Sequence, residues 1–127
     1  MNFNSTEKKT MKVLIVDDNE QARRMIKHYL DDISEEFREC EDGSEAVEAY
    51  AEFQPDWVLM DWEMKQVNGL AATRNIITGF PEARILIVTN YDEIDMRQAA
   101  LGAGARGFVT KDNLLALRLF LTNPKGN

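Results

Sequence analysis

Two adjacent aspartates, Asp17 and Asp18, directly follow the apolar run of residues 11–16. Neighbouring carboxylates repel each other at close range, and a hard divalent cation such as Mg²⁺ relieves that repulsion. Acidic residues also suit the N-terminus of a following helix, so the pair by itself favours capping over metal binding. The choice between the two depends on which other polar residues the fold brings to this point.

Three further polar residues follow apolar segments that are typical of buried strands. Asp61 comes after the third segment, Thr89 after the fourth and Lys111 after the fifth. Sites in open α/β sheets lie at the carboxyl ends of the strands, so parallel strands would bring these residues to the same edge as the aspartate pair. Each has a plainer interpretation: Thr89 ends a strand, Lys111 is a surface charge and Asp61 caps a turn. Their shared position favours a functional set.

The residue types in this set predict phosphoryl transfer. A carboxylate at the end of a buried strand can attack a phosphoryl group and form an acyl phosphate, and Asp61 is the candidate. Asp17 and Asp18 would hold a metal ion. Lys111 would pair with the incoming phosphoryl group, and Thr89 would donate a hydrogen bond to it.

Apolar runs alternate with amphipathic segments five times along the chain. This alternation predicts a parallel sheet covered by helices on both faces. The first, third and fourth strands should be the most buried. The predicted strands are residues 11–16, 37–41, 57–60, 84–88 and 107–109.

Apolar residues at helical spacing predict a helix after each strand. The first helix has one apolar face. Ser44 is predicted to cap the second helix, which should carry Ala46, Val47 and Tyr50 inward. The third helix is expected over residues 68–79, where Pro81 stops it.

The last two helices differ in how firmly they should pack. The fourth is expected to begin at Asp92 and has a poor apolar pattern, with Ile94 and Leu101 as its anchors. The fifth is expected to begin at Asn113 and is apolar over more of its surface than a covering helix requires, so a partner could bury the extra stripe. Its two leucine stripes are Leu114, Leu117 and Leu121, and Leu115 and Leu119.

Size and composition predict one globular domain without membrane contact. The chain has 127 residues, 44% hydrophobic and 29% charged, enough for one core but not two. Residues 1–10 are polar and are predicted to be a flexible tail, and the single Cys40 cannot form an internal disulfide. We therefore expect a cytoplasmic protein. The net charge of −7 argues against direct nucleic-acid binding by this domain.

Four segments together match a known family. Across residues 11–121 the chain resembles a response-regulator receiver domain of two-component signalling, with residues 122–127 left as a tail or the start of a linker. The resemblance implies a flavodoxin-like (βα)5 fold, a doubly wound parallel five-stranded sheet of strand order 2-1-3-4-5. The matching segments are residues 13–18, 58–64, 85–89 and 103–111.

The resemblance also implies a phosphorelay role. Asp61 would accept a phosphoryl group from the phosphohistidine of a sensor histidine kinase or a histidine phosphotransfer protein. The cofactor would be Mg²⁺, with Mn²⁺ as an alternative. Asp18, Asp61 and the backbone carbonyl of Glu63 would be metal ligands, and Asp17 would act through water. The domain would then catalyse only its own phosphorylation and dephosphorylation and would not be an enzyme with a separate substrate.

The resemblance also implies that phosphorylation switches the conformation of the domain. Thr89 would be drawn toward the phosphoryl group, and the side chain of Phe108 would move into the space vacated. The fourth helix, fifth strand and fifth helix would then present a changed surface to an output domain or partner, with a homodimer as a further option. Residues 111–114 resemble receivers that precede LuxR-type DNA-binding domains, which implies a role in transcription.

Several positions depart from the family's common pattern. Lys65 stands in place of a usual proline, and Asn90 in place of a usual small residue. Glu63 and Tyr91 occupy positions that tune the lifetime of the phosphoryl group in the family. We expect the lifetime to differ from that of a typical receiver.

Three other functions fit parts of the pattern. A flavin-binding module needs a phosphate cradle after the first strand, where the aspartate pair would repel phosphate. A small metal-dependent phosphatase would use Asp61 as nucleophile and Glu63 as acid, but a loop role for Glu63 is preferred. A degenerate receiver that only binds proteins is disfavoured because all five polar residues of the predicted site are present.

Overall fold

The computed structural model describes residues 11–123 and contains one five-stranded parallel sheet. The spatial order of the strands is β2-β1-β3-β4-β5, which confirms the predicted flavodoxin-like topology. The predicted tail at 1–10 and the residues from 124 onward lie outside the described part of the chain. In chain order the strands are β1 (Lys12–Val16), β2 (Glu36–Cys40), β3 (Trp57–Met60), β4 (Ile85–Thr89) and β5 (Gly107–Thr110).

Five α-helices connect and follow these strands. Asparagine caps three of them: the side chains of Asn19, Asn68 and Asn113 each accept a hydrogen bond from the backbone N–H three residues on, which satisfies a donor in the first turn. A 3₁₀ turn, Gly43–Glu45, precedes the second helix. The helices are α1 (Glu20–Tyr29), α2 (Ala46–Phe53), α3 (Gly69–Gly79), α4 (Ile94–Gly102) and α5 (Leu114–Thr122).

The sheet separates two hydrophobic cores, because successive side chains of a strand point to opposite faces. Along β1, Leu14 and Val16 pack with residues of α2, α3 and α4, whereas Val13 and Ile15 pack with residues of α1 and α5. Strands β3 and β4 are buried throughout, as is β1 beyond its first residue. This confirms the predicted burial of the three central strands, and it gives the site a rigid base.

The start of the second helix differs from the prediction. Ser44 does not cap it; instead the Ser44 backbone N–H donates to the side chain of Asp42, which caps the preceding 3₁₀ turn. Val47 is exposed and does not face the core. Ala46 is buried and Tyr50 is partly buried against the core, as predicted, and Ala49 is the other buried residue of the helix.

The fourth helix also packs differently from the prediction. Ile94 and Leu101, its predicted anchors, are 70% and 54% exposed. Its buried residue is Ala100, whose small side chain allows a close approach to the sheet but buries little apolar area.

The two leucine stripes of α5 are confirmed, since Leu117 is buried while Leu115 is exposed. No helix among residues 11–123 is long and apolar enough to cross a membrane.

The buried side chain of Asp42 joins the loop after β2 to the loop after β3. Its Oδ1 accepts from the backbone N–H of Gln66 at 2.9 Å, and its Oδ2 accepts from those of Ser44 at 2.9 Å and Val67 at 3.1 Å. Burial raises the pKa of Asp42, but these hydrogen bonds outweigh it and lower the pKa from 3.8 to about 2. The loop that carries Glu63 is therefore held by one charged side chain from a neighbouring loop.

We predict that Asp42→Asn destabilises the fold in a pH-dependent way. A carboxylate whose pKa is lowered by folding stabilises the protein above its unfolded pKa, and it loses that effect as the pH falls through its folded pKa. Lowering the pKa from 3.8 to about 2 corresponds to roughly 2 to 3 kcal/mol at pH 7. Urea unfolding at pH 7 and near pH 2 should show the deficit shrinking. Asp95→Asn, an exposed acid on α4, is the control, and a deficit that stays constant with pH would contradict this account.

Candidate functional site

The predicted site residues meet at the carboxyl edge of the sheet. Each of three lies just past its strand and donates its backbone N–H to the neighbouring strand: Asp17 to Cys40 at 3.0 Å, Asp61 to Val16 at 2.8 Å, and Lys111 to Thr89 at 2.7 Å. These hydrogen bonds continue the ladder of the sheet by one step. The backbone of the site is therefore held by the same kind of hydrogen bonds as the sheet.

Asp17 is the most constrained acid of the set. Its side chain is 3% exposed. Oδ1 accepts from the backbone N–H of Asn19 at 2.9 Å, and Oδ2 lies 2.8 Å from Nζ of Lys111. Asp18 is exposed, and its side chain has no hydrogen bond or ion pair within the described chain. The two aspartates therefore differ: other protein groups hold the carboxylate of Asp17, whereas the carboxylate of Asp18 is available to bind an ion.

A single ammonium group balances two buried carboxylates. Nζ of Lys111 is 2.8 Å from Asp17 and 3.4 Å from Asp61. Burial, and next the carboxylate of Asp17, raise the pKa of Asp61 to about 6, although Lys111 opposes the shift. Burial works against the charge on Lys111, but its carboxylate neighbours prevail and raise its pKa. With Asp18 included, the site has more negative than positive charge.

The three acids could bind one metal ion. Each of Asp17, Asp18 and Asp61 offers an oxygen, and these atoms lie within 4.8 Å of one another. An all-oxygen set with excess negative charge suits a hard cation such as Mg²⁺ and disfavours soft metals that prefer sulfur. The residues present therefore fit the cation that the sequence predicts.

A cavity of about 300 Å³ opens above Asp61. It is lined by predicted site residues and by three residues not assigned a role, namely Asn19, Met64 and Lys65. At its mouth the hydroxyl of Tyr91 donates to Oε1 of Glu63 at 3.4 Å. The predicted residues that line it are Asp18, Asp61, Glu63, Thr89, Asn90, Tyr91 and Lys111.

Phe108 lies outside this cavity. It is buried in the core beneath the site, where its ring meets Trp62 edge-on with centroids 6.4 Å apart. The guanidinium of Arg97 on α4 lies over the ring, 5.0 Å from its centroid. Thr89 is buried, and its hydroxyl accepts from the backbone N–H of Tyr91 at 3.5 Å. The structure thus connects the site to α4 through Trp62 and Phe108.

Two residues that the sequence does not single out support the site. A Cβ atom on Gly69 would lie 2.0 Å from the carbonyl oxygen of Asp61, so only glycine allows the start of α3 to pack on that peptide. Arg23 on α1 is buried and donates to the carbonyl of Asp17 at 2.6 Å. A glycine directly after the capping residue Asn68 could have indicated that the backbone of another segment packs closely against the start of this helix. Arg23 gave none, because its contacts with the carbonyl of Asp17 and with Glu39 on β2 depend on how α1 packs beside the sheet.

The sequence is similar to proteins of one family. The family described as "Response regulator receiver domain" matches residues 13–118. The chain is 38% identical over 99 residues to the chemotaxis protein CheY of Halobacterium salinarum, covering 78% of this chain and 82% of that protein. It is 34% identical over 115 residues to the transcriptional regulatory protein DegU of Brevibacillus brevis, covering 88% of this chain and 48% of that protein.

The solved structures agree with this result. The crystal structure of a LuxR-family two-component response regulator from Aurantimonas sp. SI85-9A1 has a TM-score of 0.81 and 29% sequence identity, and the match covers 93% of each chain. The chain spans about half the length of DegU and of other curated regulators that it matches. It spans most of the length of CheY.

Proposed function

This chain belongs to the family of response regulator receiver domains, and from that premise we propose that Asp61 accepts a phosphoryl group in a Mg²⁺-dependent reaction. The proposal rests mainly on one observation: a buried carboxylate at the edge of the sheet faces a cavity, with two further acids and one lysine beside it. The donor would be the phosphohistidine of a sensor histidine kinase or of a histidine phosphotransfer protein.

The chemistry uses few groups. A carboxylate oxygen of Asp61 attacks phosphorus, a new P–O bond forms, and the P–N bond to the donor imidazole breaks, so that the imidazole leaves with the bonding electron pair. Hydrolysis reverses the modification when water attacks phosphorus and the acyl phosphate P–O bond breaks. Inorganic phosphate then leaves and the Asp61 carboxylate is restored. Both reactions require groups that stabilise charge on the phosphoryl oxygens.

The residues that would hold the cation are Asp18, Asp61 and the backbone carbonyl of Glu63. Asp17 would contribute through water, since its two oxygens already accept from Asn19 and Lys111. When bound, Mg²⁺ supplies positive charge that offsets repulsion between the acids and the phosphoryl oxygens. Asp42 supports this set because it holds the loop that carries Glu63.

Lys111 and Thr89 would bind the phosphoryl oxygens. Nζ of Lys111 already lies 3.4 Å from Asp61, so a small change in its side chain would place it on a phosphoryl group there. The hydroxyl of Thr89 lines the same cavity and could donate once it turns inward. The side chain of Phe108 would then move into the space that Thr89 leaves. This movement would change the surface formed by α4, β5 and α5.

The output of the switch is proposed from this surface. Leu101 on α4 and Leu115 and Leu119 on α5 are exposed, which suits contact with an output domain, a separate partner or a second copy of the chain. Because DegU and the other long relatives extend well beyond the matched region, a role in transcription is proposed through such an output domain. A cytoplasmic location remains a prediction.

We predict that a small phosphodonor labels one residue, Asp61, in the presence of Mg²⁺. Acetyl phosphate and Mg²⁺ should add one phosphoryl group, and peptide mass spectrometry should locate it. Asp61→Asn should abolish the label because the amide is not a nucleophile toward phosphorus. Asp95→Asn, remote from the site, should be labelled normally. Labelling that survives in Asp61→Asn, or that maps elsewhere, would refute the proposal.

We predict that Asn90 lengthens the lifetime of the acyl phosphate. Asn90 is an exposed residue at the wall of the cavity, where its side chain would narrow the approach of water to Asp61. Asn90→Ala should shorten the half-life of phosphorylated protein by roughly twofold to fivefold, since excluding water protects a reactive intermediate. Phosphate release over time gives the rate, with Asn75→Ala on α3 as a matched control. An unchanged rate in Asn90→Ala would remove the blocking role.

A further inference from the structure

Arg23 is a buried arginine on the first helix. The residue is 8% exposed, and its guanidinium makes two directed contacts. Nη1 donates to the backbone carbonyl of Asp17 at 2.6 Å, and Nε lies 2.7 Å from Oε1 of Glu39 on β2. Lys27, one turn further along α1, contacts the other oxygen of Glu39 at 2.6 Å. Arg23 and Lys27 therefore share Glu39, but only Arg23 reaches Asp17.

Burying a guanidinium is unfavourable unless hydrogen bonds and an opposite charge compensate for lost hydration. Glu39 supplies the charge. The hydrogen bond from Lys27 lowers the pKa of Glu39, and the bond from Arg23 adds to that effect against the influence of burial. The planar fork of the guanidinium suits two acceptors at a fixed angle, which a lysine ammonium does not reproduce.

The carbonyl that Arg23 binds belongs to the peptide between Asp17 and Asp18. The other groups of Asp17 are fixed too, since its backbone N–H donates to Cys40 and its carboxylate is held by Asn19 and Lys111. Asp18 has no such contacts of its own within the described chain. The direction of its side chain therefore depends on the orientation of the peptide that Arg23 holds.

We infer that Arg23 is a positioning residue of the cation site, which fixes the Asp17–Asp18 peptide so that Asp18 points toward Asp61. This inference rests on the proposed function, because it assumes that the three acids bind Mg²⁺. Arg23 acts through Asp17 and touches neither the cation nor the phosphoryl group. Outer groups that orient metal ligands commonly change metal affinity by about tenfold or more when they are removed.

The test is a titration of the whole chain with Mg²⁺, in which tryptophan fluorescence is the measured signal. Trp62 adjoins Asp61 and should report binding, while Trp57 at the start of β3 is buried at the far end of that strand. Arg23→Met should raise the Kd for Mg²⁺ by about tenfold. Lys27→Met removes the other cation from Glu39 but leaves the contact with Asp17, so its Kd should stay within about twofold of the wild type.

The direction of the change separates positioning from simple charge. Loss of a positive charge near a cation site would by Coulomb's law strengthen Mg²⁺ binding, whereas loss of a positioning contact weakens it. Unchanged or tighter binding by Arg23→Met would overturn the inference and leave the proposed function standing. Failure of the wild type to bind Mg²⁺ would instead refute the proposed function.

A second variant keeps the test decisive if Arg23→Met does not fold. Arg23→Lys keeps the charge, but a shorter ammonium side chain that pairs with Glu39 no longer holds the Asp17 carbonyl at the fixed angle of the guanidinium, so its Kd for Mg²⁺ should also rise, by roughly threefold. Urea unfolding without Mg²⁺ measures the stability of each variant separately. A folded Arg23→Lys with wild-type Mg²⁺ affinity would show that the contact serves stability alone.

Discussion

The site depends on one ammonium group that lies between two buried carboxylates. Lys111 is close to Asp17 and Asp61 at once, at 2.8 and 3.4 Å, and without it two acids would face each other in a region of low dielectric. Opposite charge close by lowers the free energy of the charged acids, and like charge raises it. The remaining excess of negative charge then attracts a cation. Lys111 therefore allows the acids to be buried while leaving the site attractive to metal.

The backbone of the sheet supports this charge arrangement. Three site residues donate their N–H groups across the carboxyl edge to the next strand, so each side chain starts from a fixed point. The loops between strands and helices are held differently, by single polar side chains. Asp42 binds the loop after β3, and Arg23 binds the peptide after β1. A rigid sheet with separately held loops allows the cation site to be preorganised without stiffening α4.

Local patterns in the sequence predicted a parallel sheet covered by helices and the acids, threonine and lysine at its carboxyl edge, whereas the strand order came from the family resemblance. Continuous apolar runs predicted the three central strands, because a strand that is buried on both faces has apolar side chains on both faces. The errors came where distant contacts override local signals. Ser44 has the right type for a cap, yet it lies inside a 3₁₀ turn that Asp42 caps, and Asp42 also accepts from Gln66 and Val67 in a distant loop. The role of Arg23 on α1 could not be predicted, because it depends on a contact with Glu39 on β2 that forms only in the folded chain.

The fourth helix has few buried side chains, and it is also a helix that the proposed switch would move. Ile94 and Leu101 looked like anchors because no other large aliphatic residues lie in that segment, but both face outward, and Glu93 provides no side-chain cap. α4 contacts the rest of the protein through the buried Ala100, through Met96 at the margin of the core, and through Arg97, whose guanidinium lies over the ring of Phe108. The ion pair of Arg97 with Asp92, at 2.8 Å, is exposed and joins the helix only to the loop that precedes it. Exposed ion pairs contribute little free energy. A displacement of Phe108 would therefore remove one of the few contacts that hold this helix in place. In the proposed switch, the helix that changes position is therefore one that few buried side chains anchor.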